Sequence, residues 1–210
     1  MNQQDSLFAS GSTSNTCERI ELPQADLLFF PHFLSPRESA DYQATLRTTM
    51  QWEQSTINLY GKSLKIPRLN AWYGDEDSHY HYSGKHFIPH RWTPELLEIK
   101  QAVEHVAEHA FNSVLLNCYR DGQDSVAWHS DDEQELGQNP VIASLSLGGE
   151  RLFYLRHKTN KALPVTKIAL TAGSLLIMRS TTQHYWQHQI PKTKKACHER
   201  LNLTFRQVFS

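Results

Sequence analysis

Hydrophobic residues recur along this chain with two periods, and the change from one to the other sets the architecture. Near the start, the apolar run from Leu27 to Phe30 predicts a first strand. Ser35-Pro36-Arg37-Glu38 has the capping-box pattern, a hydroxyl and a carboxylate three residues apart, and predicts a helix reaching about Met50. Residues 52–72 hold two strand-like runs broken at Tyr60-Gly61-Lys62, a hairpin tip. The stretch 75–91, rich in His, Tyr and Gly, reads as a loop. Thr93-Pro94-Glu95 opens the longest helix, to about Phe111, with Leu96, Leu97, Ile99, Val103, Val106 and Ala110 as its buried stripe. Beyond it the period drops to two. Strands are expected at 113–119, 125–129, 141–147, 151–155, 167–170, 174–178, 183–188 and 201–205, with turns at Asp121-Gly122, Gly148-Gly149 and Ala172-Gly173. Two helices followed by eight short strands predict an α+β protein built on a β-sandwich or jelly roll. Residues 1–19 are rich in Ser, Gln, Asn and Thr without apolar period and are expected to be a disordered tail, leaving 20–210 as a single domain.

Composition narrows the class. A chain of 210 residues, 39% hydrophobic and 20% charged, buries enough surface to fold without staples. No run approaches the roughly 20 apolar residues of a membrane span, and the polar start is unlike a signal peptide, so no membrane partner is expected. The three cysteines, Cys17, Cys118 and Cys197, form no C-x-x-C pair and suggest a reducing, intracellular compartment, cytoplasmic in a prokaryote or nuclear in a eukaryote. A monomer is the expectation. The net charge of −1 excludes a global basic field. Positive charge is local instead, at Lys62, Lys65 and Arg68 and at Lys192, Lys194 and Lys195, where phosphates would meet it.

The chemistry concentrates in the strand-rich half. In an extended chain, side chains two apart share a face, so His129 and Asp131 of Trp128-His129-Ser130-Asp131 can point at one ion. A second strand-borne histidine, His188, would complete the two-histidine, one-carboxylate set that suits non-haem iron(II). The last strand, Arg200-Leu201-Asn202-Leu203-Thr204-Phe205-Arg206, puts three apolar residues on one face and Arg200, Asn202, Thr204 and Arg206 on the other. If that face points inward, two arginines need an anion, which a dicarboxylate would supply. If it points outward, surface glutamates suffice. Asn117 and Tyr119, also two apart, offer an amide and a phenol to the same ligand. On the long helix, His105-Val106-Ala107-Glu108-His109 matches a zinc-peptidase pattern, but the apolar stripe turns His105 and Glu108 towards solvent.

Taken in order, Asn117-x-Tyr119, His129-x-Asp131, His188 and Arg200-x-Asn202-Leu203-Thr204-Phe205-Arg206 resemble the AlkB family of alkylation-repair dioxygenases, most of all its eukaryotic-type members that act on DNA. The resemblance implies a double-stranded β-helix core at about 113–208, with a nucleotide-recognition lid at about 51–91. It implies iron(II) on His129, Asp131 and His188, the last chosen over His184 because it precedes the Ile190-Pro191 pair. Arg200 would grip the far carboxylate of 2-oxoglutarate, helped by Asn117, Tyr119 and Asn202. Arg206 would steady the near carboxylate and Asp132. The implied reaction consumes O2 and 2-oxoglutarate and removes methyl groups from bases such as 1-methyladenine and 3-methylcytosine, releasing formaldehyde, succinate and CO2. A base must be flipped out of the stack to react. Tyr82 would then stack on it and Tyr80, Glu133 and Asp132 would meet its edge. Tyr60 would act as a wedge, with Arg68 and Asn70 in the same lid. Demethylation of RNA, hydroxylation of another substrate, and a binding module without iron chemistry are the alternatives.

Overall fold

The structure is a computed structural model that describes residues 16–59, 62–76, 78, 80–82 and 85–209. The first strands are β1 (Glu18–Ile20) and β2 (Asp26–Phe30), followed by helix α1 (Pro36–Thr49). Then come β3 (Thr56–Leu59), β4 (Lys62–Lys65), β5 (Leu69–Gly74), β6 (Tyr80–Tyr82), β7 (Lys85–Phe87) and helix α2 (Pro94–Ala107). The strand-rich half holds β8 (Ser113–Tyr119), β9 (Val126–His129), β10 (Ile142–Gly148), β11 (Arg151–His157), β12 (Thr166–Leu170) and β13 (Leu175–Arg179). A helical turn, α3 (Thr182–Tyr185), precedes β14 (Trp186–Ile190) and β15 (Arg200–Arg206).

Two antiparallel sheets face each other, as the alternating pattern requires. The larger has the order β1-β2-β13-β10-β15-β8-β5 and the smaller β12-β11-β14-β9. Sequence neighbours are rarely sheet neighbours here, the mark of a jelly roll. Helices α1 and α2 cover the outside of the large sheet. Their Tyr42, Leu46, Leu96, Ile99 and Val103 pack on Leu116, Leu145, Leu203 and Phe205 in one core cluster. A second cluster, with Ile142, Leu176, Met178, Phe153, Leu155, Ile168 and Trp186, fills the space between the sheets. Both helix starts follow the pattern. Ser35 and Glu38 close the capping box, and Thr93 accepts from the Leu96 amide. At the turn after β10, Gly148 takes φ of +81°, where a side chain would collide with Glu199 and Gln43.

Four expectations need correction. The long helix stops at Ala107, because Glu108 turns left-handed (φ 51°), so Ala110 lies beyond it and exposed Leu97 is off its buried stripe. His109 consequently sits outside the helix, its ring against Phe111, and never shares a helical face with His105. The stretch read as a loop contains the hairpin β6–β7, with Tyr80 opposite Phe87 and Tyr82 opposite Lys85. Glu18 and Arg19, placed in the tail by composition, pair with Phe29 and Leu28. Residues 183–185 are helical rather than extended. Thr182 accepts from the Asp26 amide and donates to the Arg179 carbonyl, which gives that backbone an alternative to the ladder.

Candidate metal centre and substrate cavity

The polar patch sits on the inner faces of the two sheets. β15 is an interior strand of the large sheet, covered on both faces, so its polar residues are turned into the molecule rather than to its outer surface. Arg200 is fully buried and opposite Tyr119; Asn202 is opposite both Asn117 and Ser146. The face therefore points inward. Among the described residues, no glutamate forms an ion pair with Arg200 or Arg206. The Arg200 Nη2 donates to Ser146 Oγ at 2.9 Å and to Asn202 Oδ1 at 3.2 Å, while Nε and Nη1 are buried without a partner. Burial pushes this guanidinium down to about 10, so it stays charged at neutral pH. A buried cation with two idle donors is costly unless a ligand meets it.

His129 and His188 come together because β9 pairs with β14 in the small sheet, where they are direct partners with ring centroids 4.2 Å apart. Two residues later in sequence, the pairing at Val126 and Ile190 has slipped. Ala127 and Trp128 oppose Gln189 alone, a β-bulge that re-aims the end of β9. Inside the bulge, His129 Nδ1 lies 2.8 Å from the Ala127 carbonyl. A carbonyl only accepts, so Nδ1 carries the proton and Nε2 keeps its lone pair. His188 stacks on Phe153 at 5.0 Å.

Asp131 completes the group. One ligand atom from each of His129, Asp131 and His188 lies within 4.8 Å of the others. Desolvation by burial would raise the Asp131 carboxyl, but the Arg206 guanidinium, 2.6 Å from Oδ1, and the two imidazoles outweigh it and hold the group well below the usual range. Burial, reinforced by His129, pushes His188 down to about 3. His188 is thus neutral, and its 3.6 Å approach to Asp131 is two ligands converging rather than an ion pair. An ionised carboxylate and a neutral imidazole are the forms a divalent metal requires. The donor set fits iron(II).

Two cavities adjoin this group. A small one, about 60 Å³, is lined by Asn117, Tyr119, His129, Asp131, His188, Asn202 and Arg206. Arg200 lies just behind its wall, linked through Asn202 and with its guanidinium 5.3 Å from the Tyr119 ring. A larger one, about 640 Å³, opens outward past Arg68, Asn70, Trp128, His129, Asp131 and Glu133. One Glu133 carboxylate oxygen is buried there without a hydrogen-bond partner.

Most residues singled out from sequence converge, but not all in the expected way. Arg206 pairs with Asp131, whereas the Asp132 carboxylate, expected beside Arg206, points outward and pairs with Lys158 at 2.8 Å. Arg68 turns inward, donating to Asn117 Oδ1 at 2.7 Å and to the Ser125 carbonyl, so it braces the cavity wall instead of lying free for phosphate. Tyr80 and Tyr82 lie on β6. Tyr60 falls outside the described residues. Sequence reasoning missed Gln183, which accepts the Asp131 amide at 3.0 Å, and Ser130, which donates to the Trp186 carbonyl at 2.9 Å. Both fasten the metal-ligand loop to α3 and β14, and only the helical turn brings Gln183 there.

The sequence pattern of the 2OG-Fe(II) oxygenase superfamily matches residues 26–206. The chain is 40% identical over 186 residues to a Bos taurus protein named alpha-ketoglutarate-dependent dioxygenase alkB homolog 3, covering 85% of this chain and 65% of that one. It is 36% identical over 227 residues to the Arabidopsis thaliana DNA oxidative demethylase ALKBH2, covering 95% of this chain and 72% of the relative. The chain thus spans just under two thirds of the first relative's length. A solved structure titled "The structure of OsALKBH1" superposes with a TM-score of 0.63 at 17% identity, covering 91% of this chain and 100% of that one, and shares the fold.

Proposed function

This chain belongs to the 2OG-Fe(II) oxygenase superfamily, and from that premise we propose that it oxidatively demethylates alkylated bases in DNA. The observation that carries the reading is the position of Glu133: an unpartnered, buried carboxylate oxygen in a nucleotide-sized cavity that also exposes His129 and Asp131. Adenine methylated at N1 and cytosine methylated at N3 are cationic rings with an amino group next to the methyl. A carboxylate accepts from that amino group and favours that charge. The relatives' names point the same way, two of them being a dioxygenase and a DNA demethylase.

His129, Asp131 and His188 would hold the iron, and Arg200, Asn117, Tyr119, Asn202 and Arg206 the cosubstrate. With iron(II), 2-oxoglutarate and O2 bound, the site supplies the oxidation of a methyl carbon, which leaves as formaldehyde while 2-oxoglutarate leaves as succinate and CO2. The chain's own part is positional. Arg206 keeps Asp131 ionised. The Ala127 carbonyl fixes the His129 tautomer, and Gln183 pins the Asp131 backbone. The idle donors of Arg200 offer a carboxylate two parallel charged hydrogen bonds. Glu133 would turn the base so that its methyl faces the metal group, and Tyr80 and Tyr82 would supply the stacking platform.

The test is succinate and formaldehyde release from short oligonucleotides carrying 1-methyladenine or 3-methylcytosine, beside 1-methylguanine and 3-methylthymine, which lack the cationic amidine. Turnover is expected on the first pair and weak on the second. Equal turnover on all four, or none, would overturn the reading; higher turnover on RNA than DNA would move the substrate class to RNA.

A further inference from the structure

The solvent face of the four-stranded sheet carries an arrangement that the reaction does not use. Between the buried residues of β11 stand Leu152, Tyr154 and Arg156; β14 presents Gln187 and Gln189, and β12 presents Lys167. Register aligns Lys167 with Tyr154 and Tyr154 with Gln189, and Gln189 faces the bulge at Ala127 and Trp128. The row crosses all four strands, about 14 Å at the usual spacing. It ends on Gln189 and Trp128, both of which also line the large cavity.

Charge and aromatic rings alternate along it. Lys167 Nζ lies 5.1 Å from the centre of the Tyr154 ring, and the Arg156 guanidinium 4.3 Å from that of Trp128. Arg156 spends Nε and Nη2 on the neutral Gln187 Oε1, and neither cation pairs with a carboxylate among the described residues. Asp132, at the end of β9, is already neutralised by Lys158. A merely solvated sheet face pairs opposite charges across its strands. This one leaves cations on aromatic platforms and ends at a cavity mouth.

We propose that this face is a track for the single strand flanking the base held in the cavity, an inference that rests on the nucleic-acid reading above. Phosphates meet Lys167 and Arg156. Unpaired bases stack on Tyr154 and on the outer plane of the guanidinium that covers Trp128, contacts available only to a strand without a partner.

The experiment measures binding of a fluorescein-labelled 15-nucleotide deoxythymidine strand by anisotropy, alongside turnover of a trinucleotide with a central 1-methyladenine. Lys167→Glu is expected to weaken 15-mer binding about five- to tenfold at low salt and to flatten the salt dependence by about one unit of slope. Tyr154→Ala is expected to cost about fivefold. Both should leave trinucleotide turnover unchanged, since so short a substrate ends at the cavity mouth by Gln189 and Trp128 and does not extend to Tyr154 and Lys167. Arg37→Glu, an equal charge change on α1 behind the other sheet, should leave 15-mer binding unaltered. Unchanged 15-mer affinity in both row variants, or an equal loss in Arg37→Glu, would overturn the track. If the wild type demethylates no oligonucleotide yet binds the 15-mer through this row, the track stands and the demethylase reading falls.

Discussion

The two faces of β15 are buried alike and built for different ends. Towards the helices, Leu201, Leu203 and Phe205 sit in a core closed on every side. Towards the small sheet, Arg200, Asn202 and Thr204 are also nearly inaccessible, yet their surroundings are incomplete: two guanidinium nitrogens have no partner, and a cavity runs past Asn202 to the metal group. One strand thus serves stability on one side and stores unmet hydrogen-bonding capacity on the other. The apolar face is satisfied by its neighbours, whereas the polar face is completed only by ligands.

That contrast is open to direct attack. The largest effect is expected from Asp131→Ala, which removes the one anionic metal ligand. Turnover should vanish and iron(II) titration should show no tight site, while urea unfolding stays cooperative. Retained turnover would mean another residue holds the metal. On the opposite face, Leu203→Ala should cost about 2–5 kcal/mol in urea unfolding, with the 2-oxoglutarate requirement unaltered in the folded fraction. Arg200→Met should do the reverse. The 2-oxoglutarate KM should rise roughly 30- to 100-fold, the loss of about 2–3 kcal/mol of charged hydrogen bonding. Stability should hold or rise, since an apolar side chain replaces a buried cation with idle donors. A matched loss of stability in that variant would mean Arg200 is structural. The smallest change is Glu133→Gln, expected to reduce kcat/KM for 1-methyladenine about tenfold, the value of one charge-assisted bond, and to leave 3-methylthymine nearly untouched.

Features that depend on local period and residue type were legible from the chain alone. Alternation along 200–206 was enough to separate the two faces, and the spacing of His129 and Asp131 was enough to put them on one face. The capping patterns located both helix starts, because a cap is satisfied within four residues. Tertiary structure alone decided which way the polar face of β15 points, since inward and outward strands alternate identically. It decided that His129 and His188 are direct partners, a register set by pairing across 58 intervening positions and adjusted by a bulge that no pattern announces. It turned Asp132 out to Lys158 and Arg206 in to Asp131, and it coiled residues 182–185 so that Gln183 reaches the ligand loop. The physical reason is common to all of these. Periodicity records which side chains share a face, but the partner across the gap is chosen by packing, and packing is a property of the whole chain.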